Sequence, residues 1–297
     1  SVVVLELSSF QLQTLKTSPH IAVVLNITQD HLDYHKNINE YRKAKKSIVK
    51  YQNKNDYAVI NADYSTSKQF SQSTIAQKLF FSKIDPTNGC YVDENDNISL
   101  ETSEGVVFIA KAKELLLRGR HNLENVTAAI EAAYLAGADI ESIRETVRAF
   151  RGLEHRLELV GEIAGVRYYD DSFSTTPETA IAAIKSFSEP VVLILGGSSK
   201  GSDYTELGKI IGESNVKAII FIGQTAEEIS NKISDRYTGE RIFGLKDMAE
   251  IVEEAASLAK SGEVVLLSPA CASFGLFQNY KDRGDKFKQS IKTLLHK

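Results

Sequence analysis

Three short apolar runs constrain the fold of this chain more than any other feature. Residues 191–195 (Val-Val-Leu-Ile-Leu), 218–222 (Ala-Ile-Ile-Phe-Ile) and 264–267 (Val-Val-Leu-Leu) are apolar at every position. A strand with one wet face alternates apolar and polar side chains, so an uninterrupted run implies a strand covered by helices on both faces. Helical patterning fills the gaps between the runs, which makes the second half of the chain a doubly wound, Rossmann-like α/β domain. Residues 158–163 and 166–169 precede it as a predicted hairpin turning at Ala164-Gly165. In the first half, short apolar runs at 2–5, 21–25, 57–60 and 78–81 alternate with helical patterns and predict a second α/β sheet. Residues 88–110 change to short pieces around Asp93-Glu94-Asn95-Asp96-Asn97, the signature of antiparallel strands, and helices are expected at 122–137 and 140–149. The polar connection at Arg151-Gly152 divides the chain into domains 1–152 and 153–297.

Composition narrows the function classes. A chain of 297 residues, 42% hydrophobic and 25% charged, can bury the cores of about two domains. Its formal net charge of −4 supplies no basic field for phosphate backbones, so no nucleic-acid partner is expected. Cys90 and Cys271 are the only cysteines and lie far apart, which argues against a disulfide framework or a thiolate zinc site and for a reducing, cytoplasmic setting. No apolar run approaches the roughly 20 residues of a membrane span, so no membrane partner is expected either. A buried-strand pattern directly after Ser1, with no starter Met, reads as a chain beginning inside a domain.

Four clusters sit where α/β proteins gather ligand groups, beyond strands or at helix starts. In the first, Glu6-Leu7-Ser8-Ser9, Glu6 ends an expected strand, either as a Mg²⁺ ligand or as a solvated acid. The second, Asn26 to His35, has two histidines but lacks the glutamate and third ligand of a zinc site. In the helix that follows, with Asn39 as expected N-cap, Tyr41, Ala44, Lys45 and Ile48 share one face. Lys45 is thus directed inward, either snorkelling or in need of an anionic partner or a modification, while Lys43, Lys46 and Lys50 take the wet side. In the third, Asn122 and Asn125 lie three apart on a first helical turn, where they cap the helix or grip the edge of a heterocycle. The fourth combines His155-Arg156, Asp170 to Pro177, Gly196 to Lys200 and Ser268 to Ser273. Thr175, Lys200 and Ser273 in it make a cradle for a small carboxylate. Gly-Gly-x-x-Lys-Gly has the wrong spacing for a dinucleotide fingerprint.

In this order, Glu6-Leu-Ser-Ser-Phe-Gln-Leu12, Asn26-Ile-Thr-x-Asp-His31-Leu-Asp, Tyr41-Arg-x-Ala-Lys45, Gly119-x-His-Asn-x-x-Asn125, Gly152-Leu-x-His-Arg156, Leu267-Ser-Pro-Ala-Cys-Ala-Ser273-Phe and Arg283-Gly-Asp-x-Phe287 resemble the Mur ligase family over nearly the whole chain. The first segment resembles the branch that adds D-glutamate. The resemblance implies an incomplete central ATPase-type α/β domain followed by the Rossmann-like C-terminal domain. It implies ATP, two Mg²⁺ ions, a UDP-linked muramoyl-peptide precursor and D-glutamate as ligands of a monomeric enzyme. Glu6 would hold the first Mg²⁺, and His31 with a carbamylated Lys45 the second. Asn122 and Asn125 would contact adenine, with His155, Arg156 and Asp171 about the nucleotide. Ser8, Thr175, Lys200, Ser273, Phe274 and Tyr280 would bind substrate, and Lys45, His31 and Lys200 would serve catalysis.

Two departures stand against that pattern. No Gly-x-x-x-x-Gly-Lys-Ser/Thr phosphate loop occurs, consistent with the expectation of a fragment. The family's usual Asn-Asp-Ser-Lys-Ala-Thr-Asn is here Asp170-Asp-Ser-Phe-Ser-Thr-Thr176, with Phe173 in place of lysine beside the expected amino-acid pocket. The competing readings are a related ligase for another amino acid, a folylpolyglutamate synthase-like enzyme, and a non-catalytic nucleotide-binding module.

Overall fold

A computed structural model describes residues 2–27, 35–199 and 201–295 and divides the chain into two units. The first comprises residues 1–116 and 120–150, the second residues 117–119 and 151–297.

The first unit runs α1 (Ser9–Thr14), β1 (Ile21–Val24), α2 (Ile38–Lys50), β2 (Tyr57–Asn61), α3 (Ser65–Lys68), β3 (Gln77–Phe81), β4 (Cys90–Val92), β5 (Asn97–Thr102), β6 (Gly105–Lys111), α4 (Arg120–Leu135) and α5 (Ile140–Ala149). Strands β1-β2-β3 form a parallel sheet and β4-β5-β6 an antiparallel one. The period of two in β2 sends Ala58 and Ile60 into a core with Tyr41 and Val49 of α2, and Val59 toward Phe81 and Ala128 of α4. Helix α2 begins two residues earlier than its expected cap: Asn37, not Asn39, accepts from the amides of Asn39 and Glu40. Residues 2–5, expected as a buried strand, form none, and Val4 is 91% exposed. An apolar run becomes a strand only where a neighbour completes its ladder, and no described strand pairs with these residues.

The second unit runs β7 (Glu158–Ile163), β8 (Val166–Asp170), α6 (Pro177–Ile184), β9 (Val191–Gly196), α7 (Thr205–Gly212), β10 (Val216–Ile222), α8 (Ala226–Ser230), β11 (Glu240–Ile242), α9 (Met248–Leu258), β12 (Val264–Leu267) and α10 (Tyr280–Leu295). Its sheet has the order β11-β10-β9-β12-β8-β7 and is parallel except for β7. The β7–β8 hairpin turns at Ala164 and Gly165, both at positive φ as a tight primed turn requires. Every residue of β9 and β12 is buried. Leu193, Leu195 and Leu266 pack on α6 and α7, while Val192, Ile194 and Val265 pack on α9 and α10. Each such side chain contributes about 1.5–3 kcal/mol on leaving water, which makes this two-faced core the main source of the unit's stability.

Parallel strands bring the loops after β8, β9 and β12 to one sheet edge, where backbone bonds stitch them together. The Asp171 amide donates to Leu267 O (2.8 Å), Gly196 to Pro269 O (2.8 Å) and Ser198 to Ala272 O (2.9 Å). Gly197 has to be glycine in this seam, because a Cβ there would lie 2.2 Å from Ala272 O.

Candidate functional site

At the stitched edge of the second unit, β8 ends in two buried carboxylates that face different partners. Asp170 Oδ2 pairs with His155 Nδ1 (2.8 Å), and its Oδ1 accepts from the Ser172 amide (2.9 Å). Asp171 Oδ1 accepts from the Leu157 amide (3.1 Å), and its Oδ2 accepts from the hydroxyls of Ser268 (2.7 Å) and Ser174. Burial pushes the Asp171 carboxyl up to about 6, against the pull of those hydroxyls and of the Leu157 amide. Asp171 therefore clasps three segments: the loop before β7, its own loop, and the end of β12. The loop before β7 is strained, with His155 and Leu157 both in the left-handed region.

Arg283 of α10 is fully buried and binds the same loops from below. Its Nε donates to Ser172 Oγ (2.9 Å), Nη2 to Ser172 O (2.8 Å) and Cys271 O (3.1 Å), and Nη1 to Cys271 O (3.2 Å). Burial lowers its pKa to about 10, partly offset by Cys271, Asp170 and Asp171, which leaves it charged at neutral pH. Ser172 Oγ donates in turn to Tyr280 O (2.7 Å). Sequence reasoning singled out the Arg283 motif but gave it no role, and it missed Ser172, Ser174 and Ser268 as its partners and those of Asp171.

Among the expected site residues of this unit, His155 is buried and meets Tyr280 edge-on, with ring centroids 6.0 Å apart. Arg156 is exposed, and Ser273 is buried at the end of the β12 loop. Thr175 is half-buried and Phe274 is 63% exposed. Lys200 lies outside the described residues. His155, Glu158 and Asp170 are close enough together to suggest a metal site. His155 Nδ1 is already bound to Asp170, however, and Lys288 Nζ lies 3.3 Å from Glu158, so a cation is already supplied. Cys271 is a buried thiol between Tyr204 OH and Thr225 Oγ1, both at 3.2 Å, and burial raises its pKa, which keeps it an inert thiol.

In the first unit, Ser8 caps α1: its Oγ accepts from the Gln11 amide (3.3 Å), while its own amide donates to Gln11 Oε1 (2.9 Å). Glu6, two residues ahead, is exposed. Its carboxylate oxygens are hard donors suited to Mg²⁺. Ser9 Oγ meets buried His35 Nε2 at 2.9 Å; the His35 ring stacks on Phe10 and meets Tyr41 edge-on, and Lys45 Nζ lies 5.8 Å from the Tyr41 ring centroid. This chain of contacts links α1 to α2 and leaves Lys45 half-buried. An ammonium has no lone pair to ligate a metal, so Lys45 fits an Mg²⁺ site only as a carbamate. His31 lies outside the described residues. At the start of α4, Asn125 Nδ2 donates to Asn122 Oδ1 (3.3 Å), so the two amides share one surface. Beside them Lys83 pairs with buried Glu124 (2.5 Å) and Tyr64 OH (3.2 Å), a triad that sequence reasoning missed.

The α/β unit with two asparagines on a helix start and the Rossmann-like unit with a clasped acidic loop match one family. Residues 1–133 match the Mur ligase middle domain, and residues 155–271 match the Mur ligase glutamate ligase domain. The chain belongs to the Mur ligase family.

Among curated relatives, the chain is 41% identical over 297 residues to a UDP-N-acetylmuramoylalanine--D-glutamate ligase of Symbiobacterium thermophilum, covering 99% of this chain and 65% of the relative. It is 38% identical to the enzyme of that name from Clostridioides difficile, over 99% of this chain and 65% of the relative. The chain thus spans just under two thirds of the length of these relatives. A MurF ligase from Thermotoga maritima, solved in complex with ADP, shares the fold at 18% identity and a TM-score of 0.64, over 94% of this chain and 63% of that one. A UDP-N-acetylmuramate-alanine ligase from the same organism does so at 16% identity and a TM-score of 0.67, over 97% of this chain and 62% of that one.

Proposed function

We propose that this chain provides the ATP-using and amino-acid-binding domains of a ligase that adds D-glutamate to UDP-N-acetylmuramoyl-L-alanine, a step in peptidoglycan precursor synthesis. The observation that carries the reading is the 41% identity to a ligase of that activity across 99% of the chain. ATP transfers its γ-phosphoryl group to the carboxylate of the precursor with release of ADP, and the amine of D-glutamate attacks the acyl carbon, loses a proton and displaces inorganic phosphate to form the amide. Asn122 and Asn125 hold adenine, and His155, Arg156 and Asp171 form or support the nucleotide face of the second domain. Ser8, Thr175, Lys200, Ser273, Phe274 and Tyr280 orient the substrates. Glu6, His31 and a carbamylated Lys45 hold two Mg²⁺ ions, which supply positive charge against the transferring phosphoryl group. Lys45, His31 and Lys200 act at the reacting groups. We place the enzyme in the cytoplasm as a monomer. Among the described residues no helix is long and apolar enough to cross a membrane.

The test is phosphate release by the protein at its natural length, supplied with MgATP, UDP-N-acetylmuramoyl-L-alanine and single amino acids. Release is expected only with D-glutamate. Release with a different amino acid and none with D-glutamate would overturn the substrate assignment and favour a sister ligase, a switch that Phe173 in place of the family's lysine makes the alternative to watch. Lys45→Ala should suppress turnover by at least about 100-fold, in the range of lost electrostatic stabilisation of a transition state. Unimpaired turnover would remove Lys45 from the metal site.

A further inference from the structure

Phe173 is 37% exposed, so one face of its ring is open to a neighbouring side chain. The guanidinium carbon of Arg156 lies 4.0 Å from the centroid of that ring. The ring is itself fixed: it meets Tyr280 edge-on with centroids 5.0 Å apart, and the Phe173 amide donates to His155 O (3.0 Å). Tyr280 and Ser172 are joined by a hydrogen bond, and Ser172 is clamped by buried Arg283. The stack therefore stands on a rigid base. Among the described residues the Arg156 guanidinium has neither an ion pair nor a hydrogen bond. An arginine whose face is occupied by a ring keeps its N–H edge for a planar or tetrahedral oxyanion, and loses less side-chain entropy when it binds one.

We propose that Phe173 is a positioning residue which holds Arg156 edge-outward as an oxyanion handle for a phosphate of the nucleotide or a carboxylate of the amino acid. This rests on the ligase reading for the identity of the ligand. A lysine at 173 would repel the Arg156 guanidinium rather than support it, since the two side chains are in contact here through the Phe173 ring.

A double-mutant cycle on the protein at its natural length tests the pairing. Calorimetric titration with MgADP and, separately, with D-glutamate is performed on wild type, Arg156→Lys, Phe173→Leu, the double variant and Phe173→Tyr. For whichever ligand uses the handle, each single variant is expected to weaken binding by about three- to tenfold. The double variant is expected to be no weaker than Arg156→Lys alone, and Phe173→Tyr to stay within about twofold of wild type. A merely structural role for the ring would not reproduce that non-additivity. Wild-type affinity for both ligands in Phe173→Leu, additive losses in the double variant, or no binding of either ligand by wild type would overturn the proposal. The ligase reading fails separately, if wild type shows no D-glutamate-dependent phosphate release while the cycle still gives coupled losses.

Discussion

Arg283 makes four hydrogen bonds to two loops, Ser172 on one and Cys271 on the other, through a planar fork that no other side chain reproduces. Arg283→Lys keeps the charge but can reach only part of that set, and it leaves buried carbonyls without donors. The expected loss is on the order of 3 kcal/mol in chemical denaturation, because a buried bond to a charged donor is worth about 1.5–3 kcal/mol and orphaned partners add to it. A loss under about 1 kcal/mol, within the range of surface substitutions, would mean the loops hold themselves in place. The residue illustrates what the sequence conveys poorly. Its motif stands out as a string, yet its partner Ser172 is 111 positions away, and the Asp171–Ser268 bond spans 97. No local pattern signals a hydrogen bond across such distances. Glu6, Lys45 and the Asn122/Asn125 pair, whose meaning lies in spacing along one helix or loop, were legible as candidates.

At the scale of elements, α4 carries a buried carboxylate that amphipathic patterning assigns to no role. Glu131 is 1% exposed, accepts from the Cys90 amide, and has no partner for its Oε2 among the described residues. Burial pushes its pKa up to about 7, against the pull of that amide. A carboxyl raised in the folded state holds its proton there while the unfolded chain has lost it. The folded state is therefore penalised progressively as pH rises from about 4.5, the unfolded value, to about 7. The full penalty is on the order of 3 kcal/mol. Glu131→Gln has no charge to bury, so its stability relative to wild type should improve by about 1–3 kcal/mol between pH 5 and pH 8, as read by urea melts at both. A difference that stays constant with pH would show that Glu131 is solvated in solution. Strands β9, β10 and β12 were legible because burial on both faces leaves an unbroken apolar run. Strand β11 was not, because Glu240-Arg241-Ile242 is a short edge strand with little to bury. Residues 2–5 were misread because an apolar run says nothing about whether a neighbour is there to pair with it.

For the whole molecule, the division into units does not follow the chain order strictly, since residues 117–119 belong with the second unit. Arg118 accounts for this. Its guanidinium pairs with Glu189 (3.0 Å) and lies over the rings of Tyr169 (5.7 Å) and Phe187 (5.8 Å). Arg167 binds the same carboxylate at 2.6 Å. Burial opposes ionisation of Glu189, but its own backbone amide, Arg167 and Arg118 prevail and hold its carboxyl down at about 2. A depressed carboxyl contributes stability that is complete above about 4.5 and is lost as pH falls toward 2. The two-faced core around β9 and β12 is large enough for an excised 151–297 fragment to fold, and cooperative thermal unfolding is the expected result. That fragment lacks Arg118. It should therefore melt below the corresponding transition of the Arg118-containing fragment 117–297 at pH 7, and the gap should narrow toward pH 3, where the unfolded chain binds a proton at Glu189 that the folded fragment still excludes. Equal melting temperatures at pH 7 would show that the connection contributes nothing to the second unit. A gap that persists unchanged at pH 3 would assign the contribution to the aromatic stacking of Arg118 rather than to its ion pair.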